Sequence, residues 1–137
     1  MDAQAIVLKS LFKELNLNHL VPKVEELLVS PENREKTNLQ FLQDVLRMEV
    51  VERRNIAIKK RLRYAGFPVF DKELNLDLYD FGCRTGVSRR QIQELTGNFV
   101  WIDKAYNILL LGGSGLGKSF LACYLGYKAI EAGYNVI

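Results

Sequence analysis

The 137 residues are 48% hydrophobic and carry a formal net charge of +3. This length suffices for one compact domain, or a small domain joined to part of a second, and so mild a charge neither demands nor excludes a nucleic-acid partner. Asp2, Lys9, Lys13 and Glu14 break up the opening segment, and no stretch approaches the ~20 apolar residues that span a bilayer, so the sequence reads as neither secreted nor membrane-spanning and is expected in the cytoplasm.

Ile6, Val7, Leu8, Leu11, Phe12 and Leu15 recur at three- and four-residue steps and predict a first amphipathic helix. Leu20, Val24, Leu27 and Leu28 predict a second, with Pro22 near its start and Ser30-Pro31 just past its end. Residues 32–36 read as a polar loop. Thr37 and Gln40 fit a capping box, in which side chains and backbone amides at a helix start satisfy each other. The helix they open is expected to run to Ala65, with Met48, Val51, Asn55, Ile58 and Leu62 forming a narrow seam. Gly66 and Pro68 stop it.

Residues 67–87 hold several acids and no clear period, as a connecting segment lying over another domain would. Ser88 with Gln91 is a second capping box, opening a short helix that ends at Gly97. Asn107 then leads into Ile108, Leu109, Leu110 and Leu111, a short apolar run of the kind found in a buried parallel strand. A helix from Lys118 to Ala132 is closed by Gly133, and Asn135, Val136 and Ile137 read as the start of a second strand. Cys83 and Cys123 lack the spacing of a zinc or redox motif and read as reduced, structural thiols, while the single histidine, His19, reads as structural.

Between the apolar run and the last helix stands Gly112-Gly113-Ser114-Gly115-Leu116-Gly117-Lys118-Ser119, which matches G-x-x-x-x-G-K-[ST] in the strand–loop–helix setting that this motif requires. Glycines let the backbone curl so that amide hydrogens point inward, and the helix start adds the positive end of its dipole. Lys118 is expected to reach the β- and γ-phosphates of a nucleoside triphosphate, and the Ser119 hydroxyl to be a ligand of Mg2+. Turnover needs a further carboxylate at another strand end. After Ser119 the sole acid is Glu131, placed in a helix's last turn, so the chain is expected to bind rather than hydrolyse.

From Arg47 to Arg63 seven basic residues stand against Glu49 and Glu52, leaving +5, more than the whole chain carries. Arg47, Arg54 and Arg61 recur every seven residues and could follow a phosphate backbone without reading sequence. The plainer reading is a solvated helix face. No aromatic residues are interleaved as a stacking platform would need.

Several stretches together resemble the IstB-like ATP-binding proteins, helper ATPases encoded beside the transposase in bacterial insertion sequences. They are Leu11 to Leu28, Asn38-Leu39-Gln40-Phe41-Leu42, Glu52-Arg53-Arg54-Asn55, Lys59 to Arg63, Ala65-Gly66-Phe67-Pro68, Gln91-Ile92-Gln93-Glu94-Leu95, Trp101-Ile102, and the run from Asn107 into Gly112. The family often carries proline where Gly113 or Ser114 stands. The resemblance implies an α/β protein: an all-helical N-terminal domain (1–66) that engages DNA, a connecting segment with a short helix (67–106), and the beginning of a P-loop parallel-sheet domain of the AAA+ class (107–137), incomplete here. It implies ATP and Mg2+ as cofactors, DNA contacts at Arg53, Arg54, Lys59, Lys60, Arg61 and Arg63, a transposase partner, and ATP-dependent homo-oligomers of the full-length protein. The family's second acidic motif, sensors and arginine finger would lie beyond Ile137, so the chain is similar to the first half of such a protein. A helicase loader resembling DnaC, and a non-enzymatic helical DNA-binding remnant, are the competing readings.

Overall fold

The computed structural model describes residues 3–68, 74–82 and 86–137. Cys83 lies outside them. The chain divides into two compact units, Met1–Ala57 and Ile58–Ile137.

In the first unit, α1 (Ala3–Glu14) ends where Asn16 adopts φ +57°. The Leu17 amide donates to the Phe12 carbonyl and the Asn16 amide to Lys13, so a left-handed asparagine closes the helix as glycine commonly does. A 3-10 turn, Val21–Lys23, with Pro22 in its first turn, leads into α2 (Val24–Val29). The expected polar loop at 32–36 instead contains a one-turn helix, α3 (Pro31–Arg34). Proline in its first turn fixes a helical φ without losing a needed amide, and Glu32 suits the positive helix start.

The Thr37–Gln40 capping box forms as read. The Gln40 amide donates to the Thr37 hydroxyl at 3.2 Å and the Thr37 amide to Gln40 Oε1 at 2.9 Å. It opens α4 (Asn38–Ala65), a helix of 28 residues that stops at Gly66, φ +60°. The expected seam is corrected. Val51 and Asn55 are exposed whereas Met48, Ile58 and Leu62 are half-buried, and the fully buried positions of α4 are Val45 and Glu49. A period of three and four residues selects a face but does not say which of two adjacent faces is covered, and here the covered one includes a carboxylate.

The second unit packs around Leu76, Ile92, Leu121, Tyr124 and Leu125, with Tyr79, Phe81, Val87, Leu95, Ile108, Leu110 and Phe120 partly buried against them. Part of the expected connecting segment is therefore core: the 3-10 turn Leu76–Leu78 buries Leu76 there. The Ser88–Gln91 box caps α5 (Arg89–Gly97). A short α6 (Val100–Asp103) follows, unforeseen from the sequence, and closes on Ala105 at φ +56°. Trp101 Nε1 donates to the Leu95 carbonyl at 2.9 Å.

The final helix, α7 (Lys118–Glu131), buries Leu121, Tyr124, Leu125, Ala129 and Ile130. Its end is capped by Gly133 at φ +102°, with the Tyr134 amide on Ala129 and the Gly133 amide on Ile130. On its flank Gly126 permits close approach, because a Cβ there would stand 3.0 Å from the Phe67 ring and 3.4 Å from Val136. Burial pushes the Cys123 thiol on this helix above its ordinary pKa.

The expected strands at 107–111 and 135–137 are corrected as well, since no strand is formed among the described residues and the sheet of the expected α/β class is not built. Both segments still alternate: Ile108 and Leu110 are half-buried whereas Leu109 and Leu111 are 79% and 88% exposed, and Val136 is half-buried between exposed neighbours. Segment 107–111 presents one face to the second unit's core and leaves the other open, and Val136 lies near Gly126 of α7. A strand is defined by a hydrogen-bonded neighbour, and apolar composition cannot supply one. No helix among the described residues is long and apolar enough to cross a membrane.

Candidate functional site

The glycine loop joins the half-covered segment 107–111 to the start of α7. Ile108 and Leu110 anchor one end in the core and Leu121 the other, which fixes the span that the loop must turn within. Gly115 and Gly117 adopt φ +77° and +76°, a left-handed conformation that costs an L side chain roughly 1–2 kcal/mol. Gly117 is the residue that caps α7 and, being glycine, offers no side chain of its own to the helix start. The N-terminal end of the helix dipole is thus presented to the loop rather than to a capping carboxylate or hydroxyl.

Lys118 Nζ donates to the Gly113 carbonyl, so the ammonium reaches back across the loop, five residues upstream of its own position. Ser119 is exposed one residue further along the first turn. The structure therefore brings together all eight expected residues, Gly112 through Ser119, around one helix start. Glycine backbone, an uncapped dipole and one lysine make a chemically suitable cradle for a polyphosphate. Among the described residues no group of three or more His, Cys, Asp or Glu converges as a metal site. Glu131 is held by Lys128 at 2.6 Å, an ion pair that raises the lysine pKa.

Beside the loop lies a cavity of about 240 Å³ lined by Tyr79, Val87, Leu110, Leu116, Lys118 and Leu121, among others. Tyr79 joins the two features. Its ring is part of the cavity wall and its hydroxyl donates to the Leu116 carbonyl at 2.9 Å. Sequence reasoning does not single out Tyr79, because residues 67–87 carry no periodicity and the contact spans 37 positions.

The six basic candidates differ in how they are engaged. Arg53, in the first unit, donates through Nε to Glu49 Oε1 at 2.8 Å and through Nη2 to the Asn16 carbonyl at the end of α1. Glu49 is 3% exposed, and its second oxygen, Oε2, has no hydrogen-bond partner among the described residues. Arg54 in the same unit is exposed. In the second unit Lys59, Lys60 and Arg63 are exposed, while Arg61 is half-buried and donates to Asn135 Oδ1 at 3.2 Å.

A family model described as IstB-like ATP binding protein matches residues 10–137. A protein of Bacteroides fragilis strain YCH46, whose name assigns it ATP binding in an IS21-like insertion sequence, is 37% identical over 123 residues, covering 90% of this chain and 60% of that protein. A similarly named Bacteroides fragilis protein is 36% identical over 123 residues, covering 90% of this chain and 45% of the relative. A Pseudomonas aeruginosa protein named for ATP binding in IS21 is 33% identical over 130 residues, covering 95% of this chain and 48% of its own length. The chain spans about half the length of the curated relatives it matches. Because the family match runs over nearly the whole sequence and includes the glycine loop at the start of α7, the chain belongs to the IstB-like ATP-binding protein family.

Proposed function

We propose that residues 112–119 bind the phosphates of ATP with Mg2+, and that the chain serves as the nucleotide-binding and DNA-engaging part of an insertion-sequence helper ATPase. The observation that carries this reading is the loop itself: left-handed glycines turn into an uncapped helix start, and Lys118 already reaches the loop's interior. Lys118 supplies a point charge to the β- and γ-phosphates. Ser119 supplies one oxygen to Mg2+, whose other ligands would include phosphate oxygens and water. The metal, when bound, offsets phosphate charge. The cavity beside the loop offers the apolar wall against which a nucleoside base is buried.

DNA is the second expected partner, met through its backbone. Arg54, Lys59, Lys60 and Arg63 are exposed and suited to phosphate contacts, whereas Arg53 and Arg61 are engaged within their own units. The transposase of the same element and ATP-dependent self-association complete the reading, along with a helical N-terminal domain over 1–66 and a P-loop region over 107–137, joined by residues 67–106, part of which packs in the second unit's core.

The test is binding of a fluorescent ATP analogue with Mg2+ by this chain and by Lys118→Ala. A charge-assisted contact contributes roughly 1.5–3 kcal/mol, so the variant should bind about ten- to a hundredfold more weakly. Equal affinity would remove the phosphate-loop assignment.

A further inference from the structure

We propose that Tyr79 is the positioning residue of the glycine loop, holding its crest in place through the Leu116 carbonyl; the consequence for affinity rests on the nucleotide reading above. Leu116 stands between Gly115 and Gly117, two of the loop's three positive-φ glycines. A bond to its carbonyl therefore restrains the chain between two positions where the backbone is free to rotate. The Leu116 side chain closes the other end of the turn, since its Cδ1 lies 3.0 Å from where a Cβ on Gly112 would be. Leu116 is thereby bonded to Tyr79 through its carbonyl, and its side chain occupies the space that a side chain at position 112 would need.

Tyr79 is itself held from three directions, which makes its hydroxyl a fixed post rather than a chance contact. Its amide donates to the Leu76 carbonyl at 3.2 Å, closing the 3-10 turn whose first residue is in the core. That turn is braced by the Asn75 side chain on the Asp77 amide at 2.9 Å, and by Arg89 on Asp77 at 2.6 Å and on the Leu76 carbonyl at 3.4 Å. The Tyr79 ring lies 4.7 Å from the Phe81 ring and stacks at 6.0 Å, interplanar angle 23°, on Phe120 in the first turn of α7. The post and the helix start therefore belong to one packed unit. A loop already held in its curled form loses less backbone freedom when it closes on an anion, so its affinity is higher than that of a slack loop.

The experiment compares the full chain with Tyr79→Phe, which keeps the ring and its stacking and removes only the hydroxyl. An ordinary hydrogen bond corresponds to about a two- to tenfold effect. The expected results are amide hydrogen exchange of residues 115–117 faster by that factor, and affinity for the fluorescent ATP analogue lower by a similar factor, with far-UV circular dichroism unchanged. Unchanged exchange at 115–117 overturns the proposal. Faster exchange with unaltered affinity overturns the claim that the restraint serves binding. Absence of Lys118-dependent binding by the parent chain would sink the nucleotide reading instead, and the exchange comparison would still decide whether Tyr79 holds the loop.

Discussion

Arg53 neutralises a buried carboxylate and, with another nitrogen, satisfies the carbonyl at the end of α1. Among the described residues Glu49 Oε2 has no hydrogen-bond partner, so removing the guanidinium would take the ion pair away from a carboxylate that stays buried. Arg53→Ala is expected to destabilise the first unit by about 2 kcal/mol, while Arg54→Ala, at an exposed position, should stay within about 0.5 kcal/mol. Urea unfolding of the two variants checks this; equal midpoints would mean that Arg53 is as free as Arg54. The sequence shows the Glu49–Arg53 spacing plainly, yet at four residues it reads as any surface pair. What the spacing does not show is that Glu49 is buried and that Arg53 also reaches the end of α1, where a left-handed Asn16 turns the chain. Lys118 and Ser119 are legible because the roles proposed for them follow from eight contiguous residues. Tyr79 is not, because its role is created by packing across the second unit.

Local chemistry carries the elements that the sequence predicts well. Both capping boxes form, and Gly66 and Gly133 stop their helices at positive φ, since caps and stops depend on residues within one turn of each other. The one-turn helices α3 and α6 escape notice because four residues cannot display a period. Segment 107–111 is a sharper case: its composition predicts burial on both faces, whereas the structure covers one. Leu110→Ala should therefore cost about 1–2 kcal/mol and Leu111→Ala less than about 0.5 kcal/mol, measured by thermal or urea unfolding. Equal costs would contradict the observed alternation. The apolar run announces what the segment can bury, and only a neighbouring strand could decide that both of its faces do.

At the scale of the molecule, two compact units share one chain, and the features of the proposed nucleotide site lie wholly in the second. The single tryptophan of the sequence, Trp101, is in that unit too, half-buried and bonded to the Leu95 carbonyl. Its emission is thus a private optical reporter. Far-UV ellipticity sums the helices of both units, whereas the fluorescence-detected transition follows residues 58–137 alone. Saturating ATP with Mg2+ at about a hundred times its dissociation constant should raise the stability seen by fluorescence by about 2.7 kcal/mol. An ellipticity change of the same size at every temperature would show the two units melting as one, and a fluorescence transition indifferent to ATP would place the ligand elsewhere. One indole, present for reasons of packing, makes it possible to ask each half of the protein separately whether it has noticed the nucleotide.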